Sequence, residues 1–334
     1  MIGLIVRRLL QLPIILLVIF TITLALAWAL PGNPLENPDR PVPPDIEYAL
    51  KQQYHLDSFW SFYGHYLYNA TGARYIKERA GGDIAERRRR AIESGIEPPR
   101  RPIFDLGPSL RQRDWSVNTI IAESLPVSMT LGGLAILLAI ALGLTAGILG
   151  ATRPNSMLDV TTLIIALIGI SLPSFVIGTA LLLVFGVWLG VSPVQGLHSP
   201  WALLLPAVTL SLPFAAYIAR LTRMGMIDAL ATDYVRTARA KGVSERNILL
   251  RHALKNAFLP VLSYLGPATA LAMTGSFVVE RVFSIPGLGR NFVNAVQNKD
   301  FTLIIGVVLV FSTMLILFNL VVDLLYRWID PRIE

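Results

Sequence analysis

From Val160 to Ala219 the chain runs 60 residues without a Lys, Arg, Asp or Glu. A soluble domain carries about a quarter of charged residues, whereas this chain has 15% charged and 54% hydrophobic residues. Its solvent is therefore largely lipid. A bilayer core takes roughly 20 helical residues, each rising about 1.5 Å. Sixty is too long for one span, and the polar, breaker-rich Gly190-Val191-Ser192-Pro193-Val194-Gln195-Gly196 divides the run in two. Four more charge-free runs stand beside it: 22 residues from Leu9 to Leu30, 29 from Ser124 to Thr152, 24 from Asn256 to Val279 and 22 from Phe301 to Val322. The pattern predicts six spans, near 9–30, 127–150, 160–189, 203–222, 257–280 and 303–326. Backbone groups in lipid must bond internally, and the runs lack the alternation of barrel strands, so the expected fold class is an all-α integral membrane protein.

Pro13, Pro173, Pro206, Pro213 and Pro267 lie within these spans and predict kinks. Gly132, Gly133, Gly143, Gly147 and Gly150 permit close helix packing. Both features suit a gated path, and both suit ordinary packing in lipid. Segment 220–255 holds eight basic residues, its counterpart between spans 3 and 4 holds none, and Arg7, Arg8, Arg153, Arg327 and Arg332 fall on the same side. The positive-inside bias thus predicts that both termini and 220–255 are cytoplasmic. Segment 31–126 carries 13 basic residues but also 13 acidic ones, and it is too long to obey that bias, so it is expected outside. Span 1 follows two arginines and contains Ala25-Leu26-Ala27, yet its apolar stretch exceeds that of a cleaved signal, and it is read as a retained span.

The outer segment opens on the breakers Pro31-Gly32-Asn33-Pro34. Residues 45–69 read as one or two amphipathic helices, with Tyr48, Leu50, Tyr54, Leu56, Phe59, Trp60, Tyr63, Tyr66 and Leu67; they form a partner surface or an interfacial cap. Residues 70–102, with Arg87-Arg88-Arg89-Arg90, read as a solvated helix face or a disordered loop.

Several chemistries are missing. The chain has no cysteine, and its four histidines, His55, His65, His198 and His252, have no ligand spacing, so no metal site is expected. There is no P-loop, H-E-x-x-H or G-x-S-x-G sequence, and the chain is expected not to be an enzyme. Pro286-Gly287-Leu288-Gly289 lacks a following P-loop lysine and reads as a structural turn on the outer side. The net charge of +7 is read through topology, and no nucleic-acid partner is expected. No charge lies near a span centre; Glu280 and Asp323 sit at span ends, where water or headgroups are expected to reach them. An ion-driven carrier usually keeps a charge at midplane, so the energy for any transport is expected on another subunit. An ion-coupled secondary carrier or channel is the main rival reading, and a non-transporting scaffold is the third.

The most informative stretch runs from Asp233 to Pro260. It reads as two short helices meeting at Gly242, which readily takes the positive φ of a helix C-cap, with Ser244 as N-cap of the second. The second helix is expected to place Leu250, Leu254 and Phe258 on one face, with Arg246, Arg251 and Lys255 towards water or phosphate. Such a hairpin suits docking into a groove on a soluble partner, and it also suits lying on an anionic leaflet.

This stretch resembles the cytoplasmic coupling loop, the "EAA" motif, of permease subunits of ATP-driven importers. More closely, the chain resembles the oligopeptide/dipeptide/nickel importer permeases. The likeness runs through Val6-Arg7-Arg8-Leu9-Leu10, Pro31-Gly32-Asn33-Pro34, Asp105-Leu106-Gly107-Pro108-Ser109, Leu125-Pro126 and Ser171-Leu172-Pro173-Ser174-Phe175. It continues in Tyr234-Val235-Arg236-Thr237-Ala238-Arg239-Ala240-Lys241-Gly242, Phe283-Ser284-Ile285-Pro286-Gly287-Leu288-Gly289 and Asp330-Pro331-Arg332-Ile333. The resemblance implies a MetI-like type I ABC importer fold of six transmembrane helices. It divides the chain into 1–30, an external segment 31–126 with its charged insert at 70–102, and a core 127–334 with the coupling loop 223–256. It further implies a heterodimer with a second homologous permease, two ABC ATPase subunits and an external substrate-binding protein, embedded in lipid of the cell (inner) membrane. ATP and Mg would be held by the ATPases and no cofactor by this chain. The substrate class would be di- or oligopeptides.

The residues so assigned to ATPase docking are Asp233, Tyr234, Arg236, Thr237, Ala238, Arg239, Ala240, Lys241, Gly242, Arg246 and Leu250. Arg236 stands where the broad motif has Glu, so a glutamate-based salt bridge is not carried over. Ser171, Ser174, Thr209, Ser211, Thr269 and Thr274 are the candidates for the translocation path.

Overall fold

The computed structural model describes residues 2–31, 33, 35, 43–94, 102–112, 114–191, 200–274 and 277–329. Glu97 to Arg101, the loop through Gln195, His198 and the final Asp330-Pro331-Arg332-Ile333 lie outside them. Fifteen helices follow in order among the described residues: α1 Ile2–Ala29, α2 Pro44–Gln53, α3 Phe59–Ala70, α4 Ala73–Ala80, α5 Asp83–Glu93, α6 Val117–Thr152, α7 Met157–Ser171 and α8 Ser174–Leu181. Then come α9 Leu204–Leu230, α10 Asp233–Ala240, α11 Glu245–Asn247, α12 Leu254–Met273, α13 Phe277–Val282, α14 Leu288–Asn298 and α15 Phe301–Ile329. Two π-helical stretches, Leu182–Trp188 and Ile248–Ala253, extend α8 and lead into α12. The described β structure is one isolated antiparallel bridge, Pro108 to Ser116.

Among the described residues, five helical stretches are long and apolar enough to cross a membrane, and α7 with α8 makes a sixth if the bent pair counts as one span. The expected third span is thus broken, with a 106° bend between its halves. The cause is Pro173: the residue before a proline is pushed out of the helical region. Leu172 is extended at φ −83°, ψ 131°, and Pro173 itself at φ −57°, ψ 138°. Pro13, Pro213 and Pro267 sit inside continuous helices.

The chain divides into two compact units. One comprises Met1–Leu12, Ser124–Arg290 and Thr313–Glu334. Its core joins Leu131, Ala135 and Ala139 of α6, Phe214 and Ile218 of α9, Val261 and Leu265 of α12 and Val279 of α13. Lipid gives helices no hydrophobic reason to associate, so contact depends on close backbone approach. A Cβ on Gly132 would lie 2.3 Å from the Ala272 carbonyl oxygen, and one on Gly147 2.5 Å from Thr222 Cβ. Arg8 and Asp323 pair at 2.7 Å, both partly exposed, as expected of charges at span ends.

The other unit comprises Pro13–Glu123 and Asn291–Ser312. Phe20 and Leu24 of α1, Phe62 and Tyr66 of α3, and Phe301 and Ile305 of α15 form its core, with the Phe20 and Tyr66 rings stacked at 5.4 Å. Residues 45–69 form α2 and α3; Leu56 is buried with this core, while Tyr48 and Trp60 face outward. The charged segment forms α4 and α5, neither with a buried residue, which matches the solvated-face alternative for the stretch described.

Candidate functional site

The hairpin after α9 is held by apolar contacts and by its turn. Val235 and Ala238 of α10 meet Ile248, with Leu230 and Val243 packed around them. Burying Val235 and Ile248 contributes about 1.5–3 kcal/mol each. The exposed pairs Arg239–Glu245, at 2.9 Å, and Arg236–Asp233, at 3.3 Å, contribute about 0–1 kcal/mol each, so the small core decides the shape. Gly242 stops α10 at φ +76°. Its N–H donates to the Arg239 carbonyl at 3.0 Å, and the Val243 N–H reaches back to Ala238 at 3.2 Å. With Val243 against Ala238, this is a complete Schellman stop. Ser244 has the extended backbone of an N-cap, at ψ 142°, but no side-chain cap bond.

Asp233, Tyr234, Arg236, Thr237, Arg239, Ala240, Lys241, Gly242 and Arg246 are exposed, whereas Ala238 is buried. A Cβ on Gly242 would meet nothing within 4 Å. Tyr234 ties the hairpin down: its hydroxyl accepts from Asn256 Nδ2 at 3.0 Å and donates to the His252 carbonyl at 3.4 Å. The expected apolar face through Leu250 needs correction. Leu250 is exposed, whereas Leu254 and Phe258 are half-buried and packed against apolar cores as expected, and Ile248, Ala253 and Ala257 are buried. The π stretch Ile248–Ala253 breaks the 3.6-residue period on which that face was projected.

Among the path candidates, Thr209 and Ser211 are fully buried, and their hydroxyls donate to Leu205 and Val208 of the same helix, each at 2.8 Å. Thr274 is buried and donates to Leu271 at 3.2 Å. Ser171 is exposed at the break between α7 and α8, where Ser174 is half-buried, and Thr269 is half-buried on α12.

Three carboxylates are buried among the described residues, Asp159, Glu280 and Asp300, and the first two lie in the unit that carries the hairpin. Asp159 is 1% exposed and accepts both arms of the Arg223 guanidinium, at 2.5 and 2.7 Å, plus the Asn155 N–H at 2.8 Å. This clamp fastens the start of α7 to α9 ten residues before α10, about 15 Å along the helix. Glu280 corrects the expectation of a wetted span end, because it is 0% exposed. The Ser128 hydroxyl donates to Oε1 at 2.7 Å, the Arg290 N–H at the start of α14 donates to Oε2 at 2.9 Å, and Ser128 in turn accepts from the Leu288 N–H at 2.8 Å. Gly287 closes over it: a Cβ there would lie 2.4 Å from the carboxyl carbon. The glycine turn at 286–289 is thus a structural turn, and the carboxyl it cradles is the chain's own.

Residues 122–334 match the family of binding-protein-dependent transport system inner membrane components. The chain belongs to that family. The match contains the whole hairpin, all the path candidates and the buried carboxylates Asp159, Glu280 and Asp300. Residues 31–121 precede the match. Relatives of this binding-protein-dependent permease cover its full length. The oligopeptide transport system permease protein OppB of Haemophilus influenzae is 36% identical over 336 residues, all of both chains. The protein of the same name from Escherichia coli K12 is 38% identical over 337 residues, again all of both. The dipeptide transport system permease protein DppB of Bacillus subtilis is 36% identical, covering 98% of this chain and 97% of its own. Among solved structures, the MetNI methionine ABC transporter in an inward-facing conformation aligns with 64% of this chain and 97% of its own, with TM-score 0.52 and 17% identity. That likeness concerns the fold and supports the MetI-like architecture.

Sequence reasoning missed the Asp159–Arg223 clamp, since Asp159 merely preceded a charge-free run and Arg223 counted only as one of the eight basic residues of 220–255. Ser156 followed three residues later by Asp159, a capping pattern, was the available signal; the Asp159 N–H does bond Ser156 Oγ, at 3.3 Å.

Proposed function

We propose that this chain is the permease half of an ATP-binding-cassette importer for di- or oligopeptides. It pairs with a second, homologous permease, docks two ATPase subunits and receives substrate from an external binding protein. ATP and Mg are held by the ATPases, and this chain catalyses nothing. The membrane is the cell (inner) membrane, with both termini and the hairpin on the ATPase side. Residues 31–126 form the external segment and 127–334 the core.

The hairpin carries this reading: a preformed element with its own apolar core, held at Gly242, and with its polar positions exposed. A docking element must resist the load its partner applies, and burial of Val235 and Ile248 provides that resistance. Only Ala231 and Thr232 separate α10 from α9, so displacement of the hairpin passes into α9 and, through Arg223 and Asp159, to α7. The peptide substrate class is supported by the names of relatives at 36–38% identity. Mild-detergent purification of the tagged chain from its native host, with quantification of co-purifying proteins, tests the assembly. The expected result is one second permease and two ATPase copies per chain. Recovery of the chain alone, well solubilised and intact, contradicts it and favours the ion-coupled carrier.

A further inference from the structure

Within the unit that contains the outer segment, a cleft of about 210 Å³ opens between α2, α3, the 105–108 loop and Thr302. Liquid water takes about 30 Å³ per molecule, so the cleft has room for about seven waters, or a ligand of fewer than about ten non-hydrogen atoms. It is below the range of drug-sized pockets. Its lining combines opposite charges, Arg74 and Asp105, with the polar side chains of His65, Tyr66 and Asn69.

Tyr66 is the unusual member. It is 4% exposed, and its hydroxyl is buried with no hydrogen-bond partner. An unpaired buried hydroxyl is costly and rare, so it points to a group that completes it. Burial, together with the Asp105 and Asp300 carboxylates, holds the phenol well above its ordinary range, so it stays a neutral donor at physiological pH. Burial and the neighbouring His55 and Arg74 likewise push His65 down, towards the neutral imidazole. The charged side chains that line the cleft are then Arg74, paired with Glu78, and Asp105. Arg74 is already oriented, bonded to Glu78 at 3.0 Å and to Asn69 Oδ1 at 3.4 Å, and Asp105 Oδ1 accepts the Gly107 N–H at 3.0 Å.

We propose that this cleft binds a small zwitterion with the chemistry of an α-amino acid, either free or as the end of a short peptide. Its ammonium faces Asp105, and its carboxylate or carbonyl oxygen accepts from the Tyr66 hydroxyl beside Arg74. This assignment rests on the lining alone and does not depend on the transport reading.

The test is calorimetric titration of the full chain, in lipid nanodiscs without partners, with glycine, diglycine and N-acetylglycine amide as probes. Saturable binding of glycine or diglycine is expected, with none of the uncharged amide. Glycine binding without diglycine binding identifies a free amino acid as the ligand; diglycine binding identifies a peptide end. Tyr66→Phe removes only the hydroxyl, and a roughly tenfold weaker affinity is expected. Asp105→Asn keeps the acceptor for the Gly107 N–H but loses the charge, and should weaken both probes while leaving thermal stability unchanged. No saturable binding to the wild-type chain, equal binding of the uncharged amide, or unchanged affinity in Tyr66→Phe overturns the proposal.

Discussion

Gly242 and Gly287 occupy turns of opposite design within one unit. Gly242 is required for its dihedral, φ +76°, and the space where its side chain would be is empty. Gly287 is required for space, because the carboxyl of Glu280 fills the volume a Cβ would take. The first turn ends an exposed helix whose polar side remains available. The second closes over a buried carboxyl, which takes up the donors around it. A glycine-rich sequence alone does not separate these cases: one turn presents a surface, and the other consumes its donors internally.

The largest expected effect breaks the closed turn. Gly287→Ala forces a Cβ into a carboxyl held by Ser128 and the Arg290 N–H. Overpacking costs about 1–3 kcal/mol, and unpairing those donors adds about 1–3 kcal/mol, so denaturation in detergent should show a loss of about 2–6 kcal/mol. Next comes Glu280→Ala, which relieves the crowding but strands two donors. A loss of about 1–3 kcal/mol is expected, with part of it recovered by Glu280→Gln. Gly242→Ala costs about 1–2 kcal/mol from the left-handed backbone and meets no clash. Gly242→Pro cannot adopt that φ and should abolish substrate-stimulated ATPase activity of the assembled complex while membrane insertion is retained. The smallest effect is Arg239→Ala, about 0–0.5 kcal/mol, since its partner Glu245 is exposed. If Gly242→Ala destabilised the chain as much as Gly287→Ala, the contrast between open and closed turns would be wrong.

The spans were legible in the sequence because lipid punishes charge uniformly, so a charge-free run needs no tertiary information. The stop at Gly242 was legible for a similar reason, being local backbone chemistry. What escaped was set by contacts distant in sequence. Glu280 is buried by Ser128, 152 residues away, and by a turn that folds back on it. Leu250 was assigned to an apolar face on a 3.6-residue period that the π stretch at Ile248–Ala253 does not keep. Pro173 announced a kink, but a full 106° break also needed Leu172 in an extended conformation. The orphaned hydroxyl of Tyr66 had no sequence signal at all, since an amphipathic helix carries tyrosines whether or not their hydroxyls are paired.

The central claim is that the exposed side of α10 is a docking surface for an ATPase. The chain has no cysteine, so single cysteines can be placed without background. With Thr237→Cys in native membranes, a short bifunctional crosslinker should join this chain to an ATPase subunit, while the buried control Ile248→Cys should not react. Labelling of Thr237→Cys with no crosslinked ATPase, in membranes that contain the ATPase, would contradict the account.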